Sequence, residues 1–585
     1  MNDLGLKSQI LRRDYLYGSL LAEGFTSFEM SPAEMLQQRS AGPISEQDYL
    51  VAKSLAKEDV VRVDGQTTTA PEDSGEVFDV VVIGAGLSGL AAAYYVQQNT
   101  NGSARVLIIE NHDDFGGNAR RDEFQIDGRL LYAPQASTVI QDLSPALAPS
   151  GQALSLFGEL GIDLAKHRVP EDQYWFGVFR DGNGTSAPAW YANFLAVPMT
   201  DSTKASLGAF FETVMHFYDR DWQAELDELD RVTFKDYVRQ RGWTDEFFQL
   251  MQPQLGAFFG FSDAVSAGCV YAHYGTKSPR YIYAFPGGNS GLARHLVKSL
   301  IPTAFKQGSS EDEFLSSPLR NENLDRAENP TRLRLKCPAV RIEHEGSHEI
   351  ASQVLITVRT DGKFRRLRAR TVIMACGGFV ARRIVADLPE SHRDAFDRFV
   401  YSPVLWANVA LKNSRALDKA ALTLLSSYSD GFGGVLLRYE NINPHSASPE
   451  RPSVIGVACP RFYPGKDARE QERLARHELV TTPFREYEKS VRQDLVRVLG
   501  PWGFDPAQDI AAIVLHRWAH HTYVFGYPGF FTSGIVEKAK QPFGRIAFAH
   551  TDLHKFSLVM GAVEQGRRAA EESCERLALH AGAAD

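Results

Sequence analysis

Residues 78–110, FDVVVIGAGLSGLAAAYYVQQNTNGSARVLIIE, read as a complete unit of strand, turn, helix and second strand. Val80, Val81, Val82 and Ile83 form an unbroken β-branched run of the kind that suits a parallel strand buried on both faces. Gly84, Gly86 and Gly89 then fall on the G-x-G-x-x-G spacing. The first glycine serves a tight turn, the second a close backbone approach to a pyrophosphate, and the third close packing of helix on strand. Ser88 to Val96 are expected to be helical, with N–H groups and the positive end of the helix dipole directed at the phosphates. Asn99 to Ser103 make a turn and Arg105 to Ile109 the second strand, which Glu110 closes where a carboxylate can accept the ribose hydroxyls. Glu110 lies 26 residues beyond Gly84, against about 20 in the usual fingerprint. An acid there favours an unphosphorylated ribose, as in FAD or NAD, over NADP.

The next segment of the chain separates FAD from NAD. Asp114-Phe115-Gly116-Gly117-Asn118-Ala119-Arg120-Arg121 places a second glycine pair directly after the acid, followed by arginines. This resembles the extended signature of the flavin amine oxidase superfamily. The resemblance implies a loop lying over the FAD diphosphate, and makes Gly116, Gly117, Asn118 and Arg120 cofactor-side candidates beside Gly84, Gly86, Ser88, Gly89 and Glu110. Phe124 to Leu131 read as a hairpin around Asp127-Gly128, and the resemblance brings the loop Tyr132 to Thr138, with Gln135, close to the isoalloxazine ring.

The carboxy-terminal section carries the matching half. Gly544 to Asp552 read as a strand ending in an acid, and Gly561 to Ala570 as a helix with small residues at its start, Ala562 among them. These resemble the carboxy-terminal FAD motif, in which the acid, here Asp552, binds the ribityl or pyrophosphate side. Between the two ends, Tyr283 to Leu296 return the chain through a glycine-rich turn, and Cys337 to Glu343 and Gln353 to Val358 read as strands. In the family Val340 would give backbone contacts to adenine. Thr371 to Gly378 form a buried strand ending in Gly377 and Gly378.

The expected fold is α/β: a Rossmann-like FAD-binding domain of the glutathione reductase and amine oxidase type, with an interleaved α+β substrate domain. The FAD-binding domain takes residues 77–150, 285–384 and 510–585, and the substrate domain 151–284 and 385–509. Residues 1–76 form an amino-terminal arm. Within the substrate domain the aromatic clusters Tyr174-Trp175-Phe176, Phe211-Phe217-Tyr218 and Phe247-Phe248-Phe258-Phe259-Phe261 read first as core. Val404 to Leu411 read as a strand, Asp467 to Leu499 as one long charged helix, and 307–330 as a polar surface insertion.

The 585 residues carry a formal charge of −9 and no large basic block, which argues against nucleic acid. No run approaches the length of a membrane span. Cys269, Cys337, Cys376, Cys459 and Cys574 are odd in number and far apart, with no C-x-x-C, so they suggest neither a disulfide framework nor a metal site. Ile10 to Leu16 (ILRRDYL) resemble the twin-arginine export motif, yet Tyr17 to Met35 include Glu23, Glu29 and Glu34 and no clean apolar stretch. Cytoplasm is therefore expected, with periplasmic export as the alternative.

Across nearly its whole length the chain resembles the spermidine dehydrogenase group. The residues that carry this are Asp113 to Phe124, Asp263-Ala264-Val265-Ser266-Ala267, Phe285-Pro286-Gly287-Gly288-Asn289, Gly503 to Ile513, and Arg517-Trp518-Ala519-His520. That resemblance implies FAD, an amine substrate oxidised at a carbon next to nitrogen, and oxygen or another electron acceptor. Some members hold haem, but His112, His520 and His521 read as surface or core histidines, and no metal is expected. His520 and Tyr523 are the candidate catalytic residues, as orienters or proton acceptors for the amine. Leu553-His554-Lys555-Phe556 stands where the family has small residues, and a cation beside the flavin would repel a polyamine; the expected substrate is a polyamine or an amine-containing biosynthetic intermediate. The alternatives are a flavin desaturase or oxidase of a non-amine molecule, and a flavin-free binding protein on the same scaffold.

Overall fold

The computed structural model describes residues 4–6, 10–17, 60–63, 66–69, 71–141, 154–169, 176–180, 189–191, 197–275, 282–306, 308, 310–360, 363–420, 424–428, 435–439, 442–443, 448–461, 463–519 and 525–581. His520, His521 and Tyr523, Tyr174 and Trp175, and the stretch 18–59 lie outside these residues.

Two sheets organise the described chain. The first has seven strands. Thr331–Arg334, Val106–Ile109, Glu72–Ile83 and Lys363–Met374 run parallel in that order, and Val354–Thr360 and Ala339–His344 continue it as an antiparallel meander. Lys363–Met374 carries two partners on one edge: its first part pairs the meander, while Val372, Ile373 and Met374 pair Ile546–Phe548 in parallel. The β-branched run sits where its composition requires, with Val80, Val81 and Val82 fully buried between layers. Its strand begins at Glu72.

Leu87–Asn99 follows the glycine turn and buries every residue from Leu87 to Val96, because Val559–Ala581 and Ser290–Leu300 cover the face that the sheet does not. Small residues make that crossing possible. A Cβ at Gly566 would stand 2.4 Å from the Ser88 carbonyl oxygen, so the carboxy-terminal helix comes within backbone contact of the first one.

The second sheet has eight strands in the order Leu11–Tyr17, Ile510–Trp518, Val404–Leu411, Ser453–Pro460, Val435–Arg438, Leu424–Tyr428, Phe176–Arg180, Ala189–Tyr191. Ile510–Trp518 pairs Val404–Leu411 within this sheet. Leu11–Tyr17 forms its edge strand, parallel to Ile510–Trp518 through seven paired positions. Arg12 of the twin-arginine-like pair bonds both oxygens of buried Glu488 at 2.9 and 3.0 Å, and Glu488 also accepts from fully buried Arg492.

The expected long helix 467–499 is two, Ala468–Thr481 and Phe484–Leu499. Pro483 caps the second, since it has no N–H to continue the first. Helices between Asp201 and Tyr274 enclose an aromatic core in which Phe210 touches Phe234, Phe247 and Tyr271 with ring centroids 5.5–6.0 Å apart, so these rings serve packing. Within 307–330, expected at the surface, Phe314 and Leu315 are buried and anchor a short helix, Glu311–Ser316.

Candidate functional site

The glycine turn joins the carboxyl end of Glu72–Ile83 to the helix. Gly84 has φ +107°, and a Cβ there would meet the Ala375 carbonyl oxygen at 3.0 Å. At Gly89 a Cβ would lie 1.9 Å from the Gly84 oxygen, which explains the third glycine as a packing requirement between helix and turn. Ser88 is buried in the first helical turn. Gly86, the residue before the helix, makes no side-chain cap and the first turn holds no acid, so the amino end presents its N–H groups without a protein carboxylate.

The second glycine pair closes over this turn. Gly86 and Gly116 form a parallel bridge, the Gly116 N–H donates to the Ala85 carbonyl at 2.8 Å, and a Cβ on Gly117 would come 3.2 Å from the Gly86 Cα. Gly116 and Gly117 both have positive φ. Arg120 is buried and its Nε donates to the Gly117 carbonyl at 3.2 Å, holding the loop in shape. The Asn118 carbonyl accepts from the Ser137 N–H, which ties the loop to the segment after the hairpin. That hairpin pairs Arg121–Ile126 with Arg129–Pro134, and its Asp127-Gly128 turn has positive φ at both residues, as a type I′ turn demands.

Glu110 is in place but is not idle. Its Oε2 accepts the Ala85 N–H at 2.8 Å, and its Oε1 accepts the His112 N–H at 3.0 Å and lies 2.5 Å from His112 Nδ1. Burial alone would raise its pKa; the His112 ring and the N–H donors outweigh that and bring it down to about 2. His112 is thus part of the acid's surroundings and not the surface or core residue expected.

Val340 sits at an irregularity of the ladder. Ala339 pairs Val358 and Arg341 pairs Thr357, which leaves Val340 as the extra residue of a bulge. Gly377 precedes the short helix Gly378–Ile384, and a Cβ there would strike Phe379 at 2.5 Å.

Asp552 comes to the same place from the other end of the chain. Its Oδ2 accepts from the Gly378 N–H at 3.2 Å and the Tyr401 hydroxyl at 2.9 Å, and His550 Nδ1 lies 2.8 Å from Oδ1. Met374, Cys376, His550 and Asp552 gather at the carboxyl ends of Lys363–Met374 and Ile546–Phe548. Burial pushes the Cys376 thiol up to about 12, with the Asp552 and Glu110 charges adding to it, so it remains a thiol at neutral pH. Ala562, in the first turn of the last helix, is buried against the first helix and turn. Tyr401, Cys376 and His550 were missed in the sequence; only His550, the first polar residue beyond a strand end, left a signal.

The Gln135 side-chain amide donates to Asp122 Oδ1 at 3.0 Å, and the Gln135 backbone carbonyl accepts the Trp518 indole N–H at 3.0 Å. Asp122 Oδ2 accepts from His516 Nε2 at 2.7 Å and Asn408 Nδ2 at 2.8 Å, all buried. Burial favours protonation of Asp122, but the His516 charge and these donors lower its pKa. This network binds the hairpin to the second sheet. The Lys555 ammonium donates to the Phe531 carbonyl and pairs Glu537 at 2.9 Å, while Leu553 and His554 are buried.

Two glycine loops closed on each other, an uncapped helix end and a buried ribose-side acid fit a dinucleotide with a diphosphate. The comparisons with known proteins agree. The horse (Equus caballus) flavin-containing amine oxidase A is 22% identical over 520 residues, covering 85% of each chain. Among solved structures, cyclohexylamine oxidase from Brevibacterium oxydans has a TM-score of 0.58 at 18% identity, and a cofactor-site triple mutant of putrescine oxidase has 0.58 at 17%; each aligns over 86% of this chain and 99% of its own. At such identity the structures establish the fold. The family described as flavin containing amine oxidoreductase matches residues 87–573, and the chain belongs to that family.

Proposed function

We propose that the chain is an FAD-dependent oxidoreductase that oxidises a carbon–nitrogen bond of an amine, either a polyamine or an amine-containing biosynthetic intermediate. The observation that carries this is the closure of Gly116-Gly117 onto the Gly84–Gly89 turn, with Glu110 held ionised beside it. FAD, when bound, supplies the acceptor for a hydride from the carbon next to nitrogen. The chain's own residues do the rest. The helix beginning at Leu87 and the two glycine loops would hold the diphosphate, Glu110 the adenosine ribose, and Val340 the adenine. Asp552 fixes the Gly377-Gly378 turn against Tyr401, and would place that turn along the ribityl chain.

Paired Lys555 removes the charge argument against a polyamine, so the spermidine dehydrogenase-like reading stands beside the biosynthetic one. His520 and Tyr523, which follow Ile510–Trp518 in sequence, are the proposed orienters of the amine. The oxidised amine hydrolyses to an aldehyde and a smaller amine, and the two electrons pass to oxygen or another acceptor.

The test is a visible spectrum of the purified full chain before and after anaerobic addition of amines. A flavin spectrum that bleaches with spermidine or a related amine supports the reading, and slower bleaching in His520→Ala and Tyr523→Phe supports their role. A flavin that only carboxylates or isoprenoids bleach would move the reaction to a non-amine oxidation. A colourless protein that takes up no FAD would sink the enzyme reading.

A further inference from the structure

Glu110 carries more donors than a ribose acid can spare. A carboxylate offers about four acceptor positions, two on each oxygen. Oε1 takes both the backbone N–H and the ring of His112, and Oε2 takes the Ala85 N–H. One position remains for two vicinal ribose hydroxyls. Against a carboxylate held ionised, Nδ1 of His112 can only be the donor, so this contact is a charge-assisted bond that competes with any incoming hydroxyl.

The backbone around it is fixed. The Glu110 N–H donates to the Arg334 carbonyl, the Cys337 N–H to the Glu110 carbonyl, and the Lys336 N–H to the His112 carbonyl at 2.8 Å. Main-chain movement therefore cannot relieve the crowding. The Ala85 N–H belongs to the glycine turn and is equally fixed, because the Ala85 carbonyl holds Gly116. Of the three donors, the His112 ring alone can swing away by side-chain rotation, and it is partly exposed, at 21% of its side chain.

Building on the FAD reading, we propose that His112 is a latch on the ribose carboxylate: one hydroxyl of the adenosine ribose takes the open position on Oε2, and the second is received only by displacing the His112 ring from Oε1. The gain from the second hydroxyl is then largely cancelled by the bond that is lost. The latch sets how tightly the adenosine half is held and acts on nothing in the flavin half.

The test uses the full-length chain freed of flavin and titrated with FAD, with FMN, and with FAD analogues lacking the adenosine 2′- or 3′-hydroxyl, followed by flavin fluorescence. His112→Phe keeps the ring volume and removes the donor, whereas His112→Asn keeps a donor. The expected results are that H112F binds FAD about three- to tenfold tighter than the parent, the worth of one net hydrogen bond, and that FMN affinity is unchanged. Loss of the displacing hydroxyl should cost the parent little and H112F about tenfold, while H112N stays near the parent. Unchanged FMN affinity also certifies that the variants fold. Equal or weaker FAD binding by H112F, with the analogue penalties unchanged, overturns the latch and leaves the FAD reading intact. Failure of every form to take up FAD overturns both.

Discussion

At Glu110 the carboxylate is ionised in an enclosed site because its donors were assembled around it. Its pKa falls from the ordinary 4.5 to about 2 on folding. A depressed carboxylate contributes stability that is present above its unfolded pKa and lost as pH falls through its folded one. The window here is therefore about pH 4.5 down to 2, and the contribution is on the order of 3 kcal/mol. Glu110→Gln should flatten the acid limb of stability between about pH 4.5 and 2 in thermal melts of the full chain, and should weaken FAD binding at neutral pH. An acid limb identical to that of the parent would show that other carboxylates govern it.

Residue-scale chemistry was the most legible part in sequence. The three glycines of the turn, the second pair and the acid each answer to a local requirement, such as a positive φ or a backbone approach, that residue type alone announces. Gln135 shows the limit: its amide is claimed by Asp122, which is itself claimed from the second sheet by His516 and Asn408, and nothing local to either segment reveals that.

Elements were legible where their period was local and obscure where their partner was distant. The valine run, the first helix and the Asp127-Gly128 hairpin all stand where periodicity put them. Pro483 is a local signal that a long amphipathic pattern had masked. Leu11–Tyr17 could not be read as an edge strand, since its partner is Ile510–Trp518 and strand pairing leaves no mark on either sequence by itself.

The backbone contact of Gly566 with Ser88 sets the spacing of the first and last helices, so Gly566→Ala should push them apart and cost about 1–3 kcal/mol. Denaturant titration measures it, and flavin affinity should fall along with stability, because the first helix carries the phosphate-facing end. The edge strand is held by Glu488, shared by Arg12 and Arg492. Glu488→Gln removes the shared anion and strands a fully buried guanidinium, which should destabilise by about 3–5 kcal/mol. A loss below about 1 kcal/mol in the same titration would mean that the strand is held by its ladder alone.

For the whole molecule, the junction between hairpin and second sheet runs through Asp122. Asp122→Asn discards the charge that pairs His516 and should cost about 3–5 kcal/mol. Because the pair stands beside an apolar cluster that the hairpin and the second sheet share, with Phe124 and Leu131 in one core with Trp406 and Val514, calorimetry should show one transition in parent and variant, at a lower temperature in the variant. A transition at the parent's temperature in Asp122→Asn would show that the shared apolar core holds the junction by itself.

The second sheet also dictates an order of events during synthesis. Leu11–Tyr17 leaves the ribosome some five hundred residues before the strand it lies against. The nucleotide sheet waits likewise, since Ile546–Phe548 must arrive before Lys363–Met374 is covered on its second edge. Neither sheet can close until these later strands have emerged. The nascent chain exposes the strand 11–17 unpaired for that interval, and a chaperone that shields it until residues 510–518 emerge should raise the yield of folded protein.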